Sequence, residues 1–387
     1  MISQRIQQLA PSATLTLDNK VKALQAEGKK IINFTVGEPD SNTPIHIQDA
    51  AIDAMRSGFT KYAPAAGIPN LREAIATKFK NDNKIEYTPK QIIVGVGTKQ
   101  LLYSAFQTIC NAGDEVIIAT PTWTTYIEQV KLAGAIPILV SLIPPFRLKA
   151  EDIKPHISQK TKAILINTPA NPTGAMIDSD ELHKIADLAV EKNILVITDE
   201  IYEKITYTRS HISIASLNDK IKALTITING FSKAYAMTGW RIGYAAGPQD
   251  IIDGMIALAG QTTSGTSSIS QHAAVAALEG NQKPIANMLD EFGQKRQIAY
   301  DCLKDIPGIE VDLPDGAFYI FPSINSVLKA GQTSTDWADA LLENKQVAVV
   351  PGEAFEAPGY IRISYAISME NLKSGIEKIR QFIQENQ

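Results

Sequence analysis

Between residues 91 and 246 the sequence alternates short, largely β-branched apolar runs with stretches of helical character. The runs fall at 91–96, 115–119, 136–140, 163–167, 194–198, 223–228 and 242–246. The run 223–228 reads as a strand buried on both faces, and the spacing of all seven suits the crossover helices of a mostly parallel sheet. One connecting helix is well marked: Asp178 is placed to cap it, Glu181 to reach back, and Leu182, Ile185, Leu188 and Ala189 line one face. The alternation therefore predicts an α/β chain whose large domain, 45–285, is a mostly parallel seven-stranded sheet sandwiched by helices.

The flanks have a different texture. Residues 1–30 read as an irregular arm followed by a helix with Leu17, Val21 and Leu24 at helical spacing. Ile31 to Val36 reads as a short strand, closed by the turn cluster Gly37-Glu38-Pro39-Asp40. Helices are expected near His46 to Ser57 and from Pro69, where Leu71, Ala74, Ile75 and Phe79 form a stripe. After Pro284 a long helix runs toward Leu303, and strands are expected near 309–313, 317–321, 347–350 and 360–365. Residues 286–387 thus make a smaller α+β domain, to which the segment 1–44 contributes as arm and partial domain.

Composition narrows the function. Thirty-seven basic against 41 acidic residues leave a formal charge of -4 without long runs, so nothing marks a surface for nucleic acid or an anionic membrane. No stretch approaches the roughly 20 apolar residues of a membrane span, and the start lacks the apolar core of a signal peptide. The expected partners are small molecules and the expected compartment is the cytoplasm. Cys110 and Cys302 lie outside any metal or redox spacing and read as buried thiols. His46, His156, His183, His211 and His272 form no helical pair, so no metal site is expected.

The residues just past the strands carry the chemistry. Gly95-Val96-Gly97-Thr98-Lys99 follows the first run, Pro121-Thr122-Trp123 the second, and Asn171-Pro172-Thr173-Gly174 the fourth. Asp199-Glu200-Ile201-Tyr202 closes the fifth, and the sixth, ending in an Asn229-Gly230 turn, delivers Lys233, with Arg241 eight residues on. In open α/β sheets ligands bind at the carboxyl edge, so these side chains are expected to converge there. Taken singly, each has a plainer reading: Lys233 a loop lysine, Asp199 a helix cap, Trp123 a core aromatic, Asn171 a turn residue, Tyr202 a half-buried tyrosine.

Together they fit one cofactor. Pyridoxal phosphate needs an amine for its aldehyde, an acid for its ring nitrogen and an anion site for its phosphate. Lys233 supplies the amine, Asp199 the acid, and the Gly97-Thr98 helix start with Arg241 the anion site. Trp123 is suited to stack on the ring, while Asn171 and Tyr202 are suited to bond its phenolic oxygen.

These motifs, NPTG at 171–174, DEIY at 199–202 and SKAYAMTGWRIGY at 232–244, closely resemble class I, fold-type I, pyridoxal-phosphate aminotransferases, and most of all their bacterial aspartate aminotransferase branch. The resemblance runs from PSAT near the start to IRISYA near the end. It implies that Lys233 anchors the cofactor, that Ser232 also contacts it, and that Tyr62 reaches the phosphate of a neighbouring subunit, hence a homodimer with shared active sites. It implies further that Arg362 grips the substrate α-carboxylate, that Gly37, Trp123 and Asn171 lie against the substrate, and that Lys99, Ser12 and Thr14 receive the distal carboxylate of an acidic substrate. Another branch uses a partner arginine for that carboxylate, and the comparable stretch 260–268 has none.

The implied reaction is a ping-pong transfer of the amino group of aspartate to 2-oxoglutarate. Aromatic, methionine or prephenate aminotransferases and a C-S lyase use the same cofactor set and stay open as alternatives. A serine hydrolase elbow at Gly230-Phe231-Ser232-Lys233-Ala234 lacks its second glycine, and a dinucleotide fingerprint at Gly95-Val96-Gly97 has Gln100 where its third belongs.

Overall fold

The seven apolar runs pair with one another into a single sheet. In the computed structural model, which describes residues 1–386, its strands are β1 (Ile92–Gly95), β2 (Glu115–Thr120), β3 (Ile136–Ser141), β4 (Thr161–Asn167), β5 (Leu195–Asp199), β6 (Thr225–Gly230) and β7 (Gly243–Ala246). They lie in the order β1-β7-β6-β5-β4-β2-β3. All run parallel except β7, which is antiparallel to both β1 and β6. Alternate side chains go to opposite faces. Val116 and Ile118 join Leu101, Phe106 and Ile226 on one side, and Ile117 joins Ile164, Val196 and Ile185 on the other.

Two local expectations are corrected. The Asn229-Gly230 pair is not a turn: both residues stay in the ladder, opposite Tyr244 and Gly243, so the turn begins only at Phe231. The predicted capping box at Asp178 is absent as well. Asp178 Oδ1 instead accepts from Arg209 Nη1 at 2.5 Å, and Glu181 Oε2 accepts from Ala150 N at 3.1 Å. A guanidinium outcompetes a neutral backbone N-H for a carboxylate.

The helices that shape the site are α1 (Ala13–Ala26), α2 (Gly97–Ile109), α3 (Thr125–Leu132), α4 (Ser179–Lys192) and α5 (Lys283–Lys304). Beyond α5, β8 (Tyr319–Ile320), β9 (Val350–Pro351) and β10 (Ile361–Ser364) form a three-stranded antiparallel sheet with β10 in the middle. The strand expected at 309–313 shrinks to one bridge, Glu310 to Ser323, and that expected at 31–36 shrinks to Ile32–Asn33, paired with Val347–Ala348. One core joins Phe34 from the chain start to Phe292 and Leu303 of α5, and to Phe318, Trp337, Ile361, Ile363 and Phe382. It also takes in Ile201, Tyr202 and Ile205 from the segment just past β5. The small sheet's core is thus joined to the large sheet through the loop that follows β5. No described helix is long and apolar enough to cross a membrane. Cys110 and Cys302 are free and half-buried rather than fully buried.

Candidate active site

Glycines bring the phosphate-type loop onto the sheet. Gly95, Gly243 and Gly230 stand side by side across β1, β7 and β6. A Cβ on Gly243 would come within 3.0 Å of Thr98 N, and one on Gly230 within 3.1 Å of Thr98 Cγ2. Their bareness lets the start of α2 settle directly on the strand ends. Gly97 has φ +78°, and a Cβ there would meet Arg241 Nη2 at 2.7 Å. Arg241 itself sits at φ +51°, a left-handed conformation that side chains seldom adopt. Because β7 is antiparallel, its leading end, and Arg241 just before it, lies at the same edge as the carboxyl ends of the others. A cationic guanidinium is therefore held over the N-terminus of α2, an arrangement suited to an anion.

A cavity of about 440 Å³ opens at this edge, within the range of small-molecule sites. Thr98, Lys99, Trp123, Asn171, Asp199, Tyr202, Ser232, Lys233 and Arg241 line it, as do Gly37 and Thr14 from the N-terminal segment and Arg362 from β10. Twelve of the residues singled out from sequence thus share one cavity. Gly97 lies directly behind Arg241, and Ser12 Oγ is 3.3 Å from Thr14 Oγ1 at the lip. Tyr62 is the exception: it is 96% exposed and outside the cavity of its own chain.

Five cationic side chains and three carboxylates line the space, which favours anionic ligands. Asp199, the last residue of β5, is 2% exposed. Its Oδ2 accepts from Tyr126 Oη at 2.8 Å and its Oδ1 from Ile201 N at 3.2 Å. Burial raises its carboxyl to about 6, against the pull of those two donors and of Lys233. Lys233 Nζ, three residues past β6, donates to the Gly37 carbonyl at 2.5 Å. Burial lowers its amine to about 8; Glu38 opposes that shift, and Arg362 adds to it. Lys99 is also pulled below its ordinary range, by burial and then by Arg241, and its Nζ stands 4.7 Å over the Trp123 ring.

Arg362 is 2% exposed and lies over the Tyr319 ring, with Cζ 4.4 Å from its centre. Its Nη1 donates to Asn171 Oδ1 at 3.0 Å and its Nη2 to the Thr35 carbonyl at 2.8 Å, while Nε has no partner. Among the described residues its hydrogen-bond acceptors are all neutral. A buried guanidinium without a counter-ion is costly, on the order of several kcal/mol, so its persistence points to a carboxylate ligand.

The sequence reading missed four participants. Tyr126 holds Asp199, and its one visible signal is its place one helical turn after Trp123. Tyr319 bonds Tyr202 Oη to Oη at 3.0 Å and supports Arg362, yet it lies in a two-residue strand with no pattern. Thr35 acts through its backbone carbonyl, which no side-chain motif records. Glu38 enters only because Thr238 Oγ1 fixes it at the rim, at 2.6 Å.

The donor set fits pyridoxal phosphate. There is an amine of lowered pKa, a buried acid whose shell includes a single side-chain donor, an aromatic flank and a bare anion cradle at Gly97. A lysine amine and a buried carboxylate facing one cation-lined cavity, at the carboxyl edge of a parallel sheet, define an enzyme that works on amino groups. The match to a family model is direct: residues 29–379 fit aminotransferase class I and II, and the chain belongs to that family. It is 47% identical to an aspartate aminotransferase of Bacillus sp. (strain YM-2), over 99% of each chain. It is 44% identical to a probable aspartate/prephenate aminotransferase of Aquifex aeolicus, again over 99% of each. The solved structure of aspartate aminotransferase from Thermus thermophilus with maleate superposes with a TM-score of 0.94 at 39% identity, covering 99% of both chains.

Proposed function

We propose that this aminotransferase moves the amino group of L-aspartate to 2-oxoglutarate by a ping-pong reaction, with pyridoxal 5'-phosphate bound at Lys233 and Asp199. The observation that carries the reading is the pairing of a buried Arg362 having only neutral acceptors with a second cation, Lys99, on the same cavity. Two cations match the two carboxylates of an acidic substrate. The Thermus thermophilus relative was solved with maleate, itself a dicarboxylate.

In this reading pyridoxal phosphate, when bound, supplies the aldehyde that takes up the amine and the ring that draws electrons from the neighbouring C-H bond. The protein supplies position and protons. Arg362 receives the α-carboxylate in its two-pronged fork, with Asn171 and the Thr35 carbonyl fixing the plane. Lys99, with Thr14 and Ser12 beside it, receives the distal carboxylate. Held at both ends, the substrate presents its Cα-H to Lys233, whose neutral Nζ accepts that proton and later returns one. Asp199 keeps a negative charge opposite the amine, and Tyr126 keeps Asp199 in place. Ser232, Tyr202 and Trp123 complete the walls, while Gly97, Thr98 and Arg241 hold the phosphate.

Two chains are proposed to share sites. The exposed Tyr62 is assigned to the partner's cavity, and Ile45, Ile52, Met55 and Phe59, which precede it in sequence, are further exposed apolar side chains available to a second copy. The segment 45–285 is proposed as the cofactor-binding domain and 286–387, with 1–44, as the smaller one. The cytoplasm is the proposed compartment, consistent with two free cysteines 192 residues apart in sequence.

The test is spectroscopic. Purified protein should absorb in the visible, bleach with aspartate and recover with 2-oxoglutarate; a colourless protein unchanged by either would refute the reading. For the acidic preference, Lys99→Ala should lower kcat/KM for aspartate by roughly 20-fold and leave phenylalanine within about twofold, as loss of one charge-assisted contact implies. An equal fall for both would remove Lys99 from that role.

A further inference from the structure

Between the small-sheet core and the loop after β6 the chain crosses with little backbone support. Phe34 still belongs to the core: its N donates to the Ala348 carbonyl at 2.9 Å, and its own carbonyl accepts from Ser364 N at 3.0 Å. Thr43 already belongs to the other side, where its Oγ1 donates to the Ala236 carbonyl at 2.6 Å and accepts from Trp240 Nε1 at 2.9 Å. Among the described residues, no backbone-to-backbone hydrogen bond reaches 35–43. Yet this stretch carries the two carbonyls that bear on cations of the site, Thr35 on Arg362 and Gly37 on Lys233. Side-chain ties therefore set its position.

Those ties come from two directions. From the large-sheet side Thr238 Oγ1 donates to Glu38 Oε2 at 2.6 Å. From α5 comes Lys295, whose side chain is 1% exposed and whose Nζ lies 2.7 Å from Asp40 Oδ2 and 2.5 Å from Glu291 Oε1. A buried ammonium keeps its charge only with carboxylates against it, so the hold on Asp40 is firm. The helix that carries it is anchored in turn, with Phe292 and Leu303 in the small-sheet core. Pro39 has a fixed φ and also restricts Glu38 before it, so a hold on Asp40 is passed to Gly37 through a stiff stretch of chain. Neither Lys295 nor Asp40 has a task in the function just proposed.

We propose that Lys295, through Asp40, sets the position of the 35–43 segment and with it the plane of the Arg362 grip on the substrate α-carboxylate. The inference rests on the reading of Arg362 as the receptor of that carboxylate. Lys295 and Asp40 are positioning residues, and neither lines the cavity. Glu291 supplies the comparison: it serves the same ammonium from α5 itself, four residues away, and lies off the segment. The two carboxylates thus separate positioning from mere neutralisation of a buried charge.

Calorimetric titration of the pyridoxal-phosphate-loaded enzyme with maleate, an unreactive dicarboxylate, tests this, with thermal unfolding of each variant alongside. Asp40→Asn should weaken maleate about fivefold and raise KM for aspartate and phenylalanine by a similar factor, with kcat changed by less than about twofold, because both substrates share the α-carboxylate. Glu291→Gln should leave maleate within about 1.5-fold even where it lowers Tm as much. Lys295→Met cuts the tie from its other end and should match Asp40→Asn, and the double variant should be no weaker than either single one. Equal weakening by Asp40→Asn and Glu291→Gln would make Lys295 a structural charge only and overturn the proposal. Unchanged maleate binding in Asp40→Asn and Lys295→Met overturns it too. If the unaltered enzyme does not bind maleate, the reading of Arg362 fails and this inference falls with it. If it binds maleate and Arg362→Lys loses that binding, normal binding in Asp40→Asn refutes the Lys295 link alone.

Discussion

The seven-stranded sheet and the small three-stranded sheet meet at one cavity and contribute to it in opposite ways. The large sheet offers residues from its ends: Asp199 closes β5, Lys233 follows β6 and Arg241 precedes β7. The small sheet offers a residue from the middle of a strand. Ile361 and Ile363 of β10 go into the core, and Arg362 between them turns to the cavity. Strand ends give short, backbone-fixed reach for the amine and for the groups proposed to hold the cofactor, whereas a mid-strand guanidinium, clamped by Asn171, Thr35 and Tyr319, gives a rigid grip. In the proposed reading the large sheet's edge carries Lys233 and the cofactor-holding groups, and the small sheet carries the grip on the α-carboxylate.

The sharpest way to break that division is at its centre. Lys233→Ala should lower kcat for aspartate by at least about 10⁴-fold, since the general base and the covalent anchor go together; steady-state transfer to 2-oxoglutarate measures it, and near-normal turnover would place the chemistry elsewhere. Arg362→Lys should lower kcat/KM by about 100-fold, through KM more than kcat and for acidic and aromatic amino acids alike, because an ammonium cannot reproduce the fork. If kcat alone fell, Arg362 would belong with the sheet-edge groups. The smallest effect concerns pH. Lys233 is lowered to about 8, so its amine is protonated below that value and neutral above it. Uptake of pyridoxal phosphate by the cofactor-free chain, followed by absorbance, should therefore quicken about tenfold from pH 7 to 9 and then level off. A flat profile over that range would deny the amine its lowered pKa.

The two regions also differ in how legible they were. Most strands of the large sheet were readable because they are buried on both faces, so the demand for apolar, β-branched residues is written along their whole length; β3, at the sheet edge, is largely exposed and showed only through its short apolar run. Strands of two residues, as in β8 and β9, leave too little pattern to detect, and the expected strand at 309–313 is nearly all loop. The same contrast runs through the site. Lys233, Asp199 and Asn171 could be singled out because each follows a strand, and Arg362 through the family resemblance; all four line the cavity. Tyr319 and Thr35 were not singled out, since one lacks any motif and the other acts through its carbonyl. Asp178 misled because its local cap geometry was sound, yet Arg209 and Arg147, distant in sequence, claimed its carboxylate.

By itself the sequence determined what must be buried and which polar groups must stand at strand ends, because burial and chain direction are local properties of residue order. Only the tertiary structure decided that β7 runs backward and so brings Arg241 to the working edge. It also decided that the chain's two ends share one core, and that Lys295 meets Asp40. Those outcomes depend on which surfaces meet across long separations in sequence, and the energy of such contacts belongs to pairs of residues that no single stretch contains.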